Sequence, residues 1–172
     1  MLLEILKLTI PSLVVFLTIY FVLKSFFKQQ VSLKQLDIRQ EVVRTTLPMK
    51  LQAYERLSLF CERISIPSLI LRLHTPGTDA HSLQHAMQIS IQKEFEHNIT
   101  QQMYISEQLW QILRLATDQT VDTINIISRE LPPNTNAEAL IEAYYRFAEQ
   151  SRVQPLDKAL SAIKHEASVL LA

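Results

Sequence analysis

The residues best suited to metal chemistry lie close together on one predicted helix. Glu94 and His97 are three residues apart, and residues at this spacing share a helix face, so both could ligate one metal ion. Di-iron helix bundles use this Glu-x-x-His spacing, but they require two such pairs and two further glutamates. The chain contains one such pair. The alternative interpretation is a solvated helix end, with His97 near the negative C-terminal pole of the helix.

Other candidate residues give weaker signals. His81 and His85 are four residues apart, but the zinc-hydrolase pattern needs Glu after the first His, and Ser82 stands there. Cys61 falls in an apolar helical stripe, which predicts a structural thiol. The single glycine, Gly77, excludes glycine-rich phosphate-binding loops and argues against sheets. We therefore predict no catalytic residue, no metal site and no cofactor.

A polar cluster surrounds the Glu94–His97 pair, and it is the main candidate site. Its members are Glu94, Glu96, His97, Asn98, Gln101 and Gln102. Two interpretations are open. The side chains could satisfy buried backbone groups where helices end, or they could form a surface that meets a partner. We favour the first, because polar clusters at helix ends usually close hydrogen bonds.

The distribution of charge indicates where the chain meets a membrane. The 172 residues contain 17 Lys+Arg and 17 Asp+Glu, and this neutrality argues against a nucleic-acid partner. The segment 24–63 has eight basic and four acidic residues, whereas the segment from residue 64 onward has eight basic and twelve acidic residues. The basic segment directly follows an apolar run, where anionic headgroups would attract it.

That apolar run predicts a transmembrane anchor over residues 1–27. Residues 8–23 contain no charged side chain, and sixteen helical residues span about 24 Å at ~1.5 Å each. Apolar residues on both sides extend the run, and Lys7 and Lys24 can reach the headgroups. A cleaved signal peptide is the alternative, but no small-residue cleavage site follows the run.

The basic residues also predict the orientation of the anchor. Lys24, Lys28 and Lys34 follow the span and are expected at the membrane surface, in contact with lipid. Because basic residues accumulate on the cytoplasmic side, we expect the C-terminal domain to face the cytoplasm.

Residues 28–48 are predicted to form a juxtamembrane helix that ends at Pro48. One face of this helix carries a stripe of residues at alternating spacings of three and four, which is typical of a coiled coil. The stripe consists of Phe26, Leu33, Leu36, Val43 and Leu47, with Gln29 and Gln40 in the remaining places. The stripe could pack on later helices of the same chain, or it could form a parallel homodimer.

Residues 49–172 are predicted to form a helical bundle of about five to six helices, so the fold class is all-α. Periodic apolar positions and helix-start signals place helices beginning near Met49, Pro67, Asp79, Ser106, Thr135 and Pro155. The Thr135 start is based on a capping box with Glu138. A linker is expected near residues 130–135, where two prolines are adjacent.

Three segments carry a family resemblance: residues 52–57 (QAYERL), 72–74 (RLH) and 94–106 (EFEHNITQQMYIS). Together they resemble an uncharacterised family of single-pass, membrane-anchored helical proteins of Bacteroidota. The likeness covers roughly residues 49–126. It implies a bacterial protein of the inner (cytoplasmic) membrane, and it implies no activity.

These observations favour a membrane-tethered interaction or scaffold protein that is not an enzyme, with a protein partner of unknown identity. The alternative function is a metal-binding helical protein or an enzyme that uses Glu94, His97 and nearby histidines. Convergence of His74, His81 or His85 on Glu94 in the folded chain would favour this alternative.

Overall fold

The computed structural model describes the backbone of residues 2–150 and 154–171, and the side chains of residues 16–30, 34, 40–149 and 154–171. Within these ranges the chain forms seven helices and no strand, so the predicted all-α class is confirmed. The helices are α1 (Leu2–Ile64), α2 (Ile66–Leu73), α3 (Ala80–Asn98), the 3-10 helix η1 (Ile99–Tyr104), α4 (Glu107–Arg129), α5 (Ala137–Gln150) and α6 (Pro155–Leu171).

The chain divides into two compact units, Met1–Leu47 and Pro48–Ala172. The first unit consists of the N-terminal part of α1, whose side chains from Phe16 to Gln30 are all exposed. The second unit contains the rest of α1 and all the other helices.

The structure does not show the predicted transmembrane anchor as a membrane-spanning helix. Within the described residues, no helix is both long enough and apolar enough to cross a bilayer. Residues 8–15, the first half of the predicted span, lie outside the described side chains.

The prediction that a helix ends at Pro48 is wrong, because α1 continues without a break to Ile64. A proline in a helix removes one backbone donor and crowds the preceding turn, which costs about 3 kcal/mol. Beyond it, however, the helix buries a full apolar face that includes Leu57, and this packing stabilises the helix despite the proline. Just before it, the hydroxyls of Thr45 and Thr46 donate to carbonyls four residues earlier, at 2.9 and 2.8 Å.

The core of the second unit lies between the apolar faces of its helices. Its largest fully buried side chains are Leu57, Ile64, Leu69, Leu83, Met87, Ile91, Leu109, Leu113 and Ile163. An aromatic group covers one side of this core: the Phe60 and Phe95 rings are 6.3 Å apart, and Phe95 stacks on Trp110 at 5.5 Å. Trp110 is buried, whereas Phe95 is only partly buried.

Four predicted helix starts are confirmed: α2 has Pro67 in its first turn, α6 begins at Pro155, and side-chain caps begin α3 and α4. The Asp79 carboxylate accepts the backbone N–H of Ser82 at 2.9 Å, and the Ser106 hydroxyl accepts that of Leu109 at 3.1 Å. Each side chain satisfies one donor that a helix N-terminus leaves unpaired. These two caps fix the first residues of α3 and α4.

The predicted capping box at the start of α5 is wrong. The capping side chain is that of Asn136, which accepts the N–H of Ala139 at 3.1 Å. The backbone on either side of Asn136 pairs with the segment where α3 begins: Ala80 N–H donates to the carbonyl of Thr135 at 2.9 Å, and Ala137 N–H donates to that of Thr78 at 3.0 Å. This isolated bridge keeps residue 136 extended, so the helix begins one residue later than the box requires.

Candidate functional site

Glu94, the first residue of the predicted polar cluster, is the centre of an arginine–carboxylate network. Its carboxylate lies 2.9 Å from Nε of Arg63 and 3.8 Å from Nη1 of Arg72, and its side chain is only 14% exposed. Arg72 also donates to the backbone carbonyl of Arg63 at 2.7 Å. These contacts join the C-terminal end of α1, α2 and α3.

The other members of the polar cluster lie in two environments. Asn98 is buried at the end of α3 and donates to the carbonyl of Glu94 at 2.8 Å, and Gln101 is buried in η1. Glu96, His97 and Gln102 are exposed. The cluster therefore combines side chains that close the end of α3 with side chains that face solvent.

A small pocket opens beside the arginine–carboxylate network, between α1 and α3. Its volume is about 130 Å³, and it is lined by Arg56, Leu59, Phe60, Arg63, Glu94, His97 and Asn98. Three of these residues belong to the predicted polar cluster, and the α1 residues were not foreseen. The pocket combines guanidinium groups with apolar surface from Leu59, which is 54% exposed.

The structure does not bring the other histidines to Glu94. His74 instead lies 3.3 Å from Glu138, between the end of α2 and the start of α5. His81 and His85 are exposed on α3. Among the described side chains, no group of three or more His, Cys, Asp or Glu is placed to hold a metal ion.

Cys61 lies in the core and lines a separate cavity of about 180 Å³. Burial, followed by the charge of Glu62, raises the pKa of the Cys61 thiol to about 12. Since the thiolate is the nucleophilic form, this cysteine is inert at neutral pH.

A second polar site, which the sequence analysis missed, is centred on Glu166 of α6. Its carboxylate accepts the hydroxyl of Tyr54 at 3.1 Å and the backbone N–H of Ser106 at 2.9 Å, and it also accepts the Ser106 hydroxyl. Ser106 is the cap of α4, and Tyr54 belongs to α1. One carboxylate thus joins three helices, and we call this arrangement the Glu166 junction.

The protonation states of the Glu166 junction follow from its hydrogen bonds. Burial acts to raise the pKa of Glu166, but hydrogen bonds from Ser106 and Tyr54 and the charge of Lys50 outweigh it and lower the pKa below its ordinary value. Burial, then the hydrogen bond and charge of Glu166, raise the pKa of Tyr54 to about 12. At neutral pH, Glu166 is therefore a charged acceptor and Tyr54 a neutral donor, and this pairing suits a structural role.

A signal for this junction was present in the sequence. Glu166 follows Ile163 by three residues, so it shares the buried face of α6, and Tyr54 lies on the buried face of α1. A carboxylate on an apolar face needs donors from a neighbouring helix. Their identity depends on which helices meet, and the spacing alone does not contain this information.

The predicted membrane-surface lysines, Lys24, Lys28 and Lys34, are all exposed on α1. The Lys24 ammonium lies 6.0 Å from the centre of the Tyr20 ring, within the range of a cation–π contact.

No curated protein and no solved structure matches the chain. One family model matches residues 1–170, nearly the whole length. The chain therefore belongs to the family of unknown function DUF7935.

Proposed function

We propose that the chain is a membrane-tethered interaction protein, with the N-terminal part of α1 in the bilayer and the second unit binding a protein partner in the cytoplasm. One observation supports the tether: nine large hydrophobic side chains are exposed within residues 16–27. They are Phe16, Leu17, Ile19, Tyr20, Phe21, Val22, Leu23, Phe26 and Phe27.

The arrangement of these side chains favours lipid as their cover. Five consecutive exposed residues, from Ile19 to Leu23, advance by about 100° each and so point to all sides of the helix. A soluble partner covers one face of a helix, whereas lipid surrounds it. Exposed apolar surface of this extent marks an interaction site. The charge-free run of residues 8–23 supports the same proposal.

The basic residues after this segment support the orientation. Lys24, Lys28 and Lys34 are exposed and follow the apolar run, and basic residues accumulate on the cytoplasmic side of a span. The family resemblance of the sequence favours the inner membrane of a bacterium.

Binding, and not turnover, is the role that the second unit suits best. The carboxylates of its two polar sites are engaged by structural donors: Glu94 by two arginines, and Glu166 by the cap of α4. The thiol of Cys61 is buried and protonated. A tether raises the effective concentration of a binding domain near other membrane proteins without any chemistry.

Membrane extraction and cysteine labelling test the tether and its orientation. Full-length protein should stay in the membrane pellet after alkaline carbonate, and deletion of residues 1–27 should release it. Glu130→Cys, at an exposed position, should react with a membrane-impermeant maleimide only after lysis, whereas buried Cys61 should react in neither case. Labelling in intact cells would overturn the orientation, and carbonate release of the full chain would overturn the tether.

A crosslinking experiment tests the binding role. Tagged full-length protein is crosslinked in its native membrane, and co-purifying proteins are identified. We expect a reproducible partner. A stoichiometric, tightly bound metal that is lost in Glu94→Ala and His97→Ala, without a reproducible partner, would overturn the binding role.

A homodimer through the juxtamembrane stripe is a further proposal about partners. Phe26 and Val43 of the stripe are 54% and 57% exposed, while Leu33 and Leu36 lie outside the described side chains. Val42 is equally exposed at 55% but lies on another face, so it supplies a matched control. Val43→Cys should form a disulfide dimer in membranes and Val42→Cys should not, whereas equal crosslinking or none would contradict the dimer.

A further inference from the structure

The pocket between α1 and α3 has an excess of positive charge. Three guanidinium groups, those of Arg56, Arg63 and Arg72, lie in or beside it, and Glu94 supplies one carboxylate. Among these four described residues, the positive charges therefore exceed the negative charge by two. The neighbouring carboxylate Glu96 accepts the amide of Gln92 at 2.7 Å and does not line the pocket.

Two of these arginines have donors that the fold does not use. The ion pair of Arg63 with Glu94 engages Nε, and among the described residues no acceptor bonds its terminal nitrogens. Arg56 lines the pocket without any hydrogen bond or ion pair to the described residues. A guanidinium carries five N–H donors in a planar fork that matches phosphate and carboxylate oxygens.

Glu94 prepares the pocket for an anion, although its own charge opposes one. Its side chain lines the pocket but is only 14% exposed, and it contacts Nε of the Arg63 side chain, which is 58% exposed, at 2.9 Å. A guanidinium fixed in this way loses less side-chain entropy when it binds a ligand. Arg72 offsets the charge of Glu94 from the other side, at 3.8 Å.

The size of the pocket limits what it can hold. Pockets for drug-sized ligands measure roughly 300–1,000 Å³, and a water molecule occupies about 30 Å³ of liquid. At about 130 Å³, this pocket has room for a phosphate group. The exposed Leu59 side chain offers apolar contact for the remainder of a larger molecule.

We propose that this pocket binds a phosphate group, with Arg56 and the terminal nitrogens of Arg63 as its donors. The inference rests on the binding role proposed above and names a ligand chemistry for it. The group belongs either to a phospholipid headgroup or to a soluble phosphate compound. Both present anionic phosphate oxygens to the arginines.

Calorimetric titration of the full chain with inorganic phosphate tests the site. The protein is held in zwitterionic detergent at neutral pH and constant ionic strength. We expect saturable binding of one phosphate per chain. Arg56→Gln should weaken it about tenfold to a hundredfold, because hydrogen bonds between charged groups are lost. Arg56→Lys should restore only part of the affinity, since an ammonium lacks the fork.

Arg114→Gln is the matched control, because Arg114 is exposed on α4 and lies outside the pocket. It should bind phosphate like the wild type. Arg56 makes no contact that the described fold requires, so Arg56→Gln should unfold at the wild-type temperature in the absence of phosphate. No saturable binding by the wild type, or equal weakening by Arg114→Gln, would overturn the site.

A second arm identifies the source of the phosphate. The titration is repeated in phosphatidylcholine vesicles with and without phosphatidic acid. A lipid source predicts that phosphatidic acid weakens the apparent phosphate affinity in the wild type, and unchanged affinity assigns the site to a soluble compound. If alkaline carbonate releases the full chain from the membrane, the proposed tether is refuted. The titration in detergent does not depend on the tether, so it tests phosphate binding separately.

Discussion

Removal of the Glu166 carboxylate should destabilise the second unit without affecting the first unit. Glu166→Ala deletes three hydrogen bonds to a charged acceptor, two from Ser106 and one from Tyr54. Hydrogen bonds to charged groups contribute roughly 1.5–3 kcal/mol each, but Glu166 is partly exposed, so water replaces part of this loss. We expect a cost of about 2–3 kcal/mol, which corresponds to a decrease of roughly 6–12 °C in the melting temperature for a unit of this size.

The single tryptophan makes the assay specific. Trp110 is buried in the second unit and stacks on Phe95, so its fluorescence reports unfolding of this unit alone. Thermal unfolding of the full chain in detergent is compared with that of Glu142→Ala, which removes an exposed carboxylate paired with Arg146 at 3.4 Å. The control should change stability by less than about 0.5 kcal/mol. Equal melting temperatures for the two variants would refute the structural role of the Glu166 junction.

Three other predictions test the fold with further substitutions. The folded-state pKa of Glu166 lies below its ordinary value of 4.5, so the stabilisation by this carboxylate is fully present above pH 4.5 and is lost as the pH falls through the folded-state pKa. Glu166→Gln should remove this part of the acid sensitivity, which thermal unfolding at a series of acidic pH values measures. Trp110→Ala should lower the free energy of unfolding, measured by circular dichroism, by about 3–5 kcal/mol, and Phe95→Ala by about half as much, since Phe95 is only partly buried. Equal losses for the two variants would contradict this difference in burial. Asn136→Ala should cost about 1 kcal/mol and Thr135→Ala a few tenths, and the reverse order would restore the predicted capping box.

Local signals in the sequence predicted most helix starts correctly. Asp79 and Ser106 each bond a backbone N–H three residues later, and such a contact needs no information from elsewhere in the chain. The start at Thr135 failed because the backbone of Ala80 holds its carbonyl. Pairing between residues far apart in sequence therefore overrode a local motif.

The candidate site could be predicted only in part for the same reason. The Glu94–His97 spacing located the end of α3 and half of the pocket. Arg63 and Arg72, which neutralise Glu94, come from α1 and α2, and nothing in their own neighbourhood links them to a glutamate more than twenty residues later. The sequence therefore indicated a metal ligand as an alternative, where the fold supplies guanidinium partners.

The long helix α1 shows what periodicity can and cannot establish. The stripe that contains Phe26 and Val43 keeps its alternating spacing through Tyr54, Leu57 and Cys61. The last three side chains are at most 5% exposed, whereas the first two are more than half exposed. The same period thus identifies one face of the helix in two different environments. The proposed homodimer would supply a covering surface for the exposed part around Val43, which lies beyond the proposed anchor of residues 1–27. A second copy would contact Val43 and leave Val42 exposed, so a disulfide dimer of Val43→Cys without one of Val42→Cys would identify the covering surface.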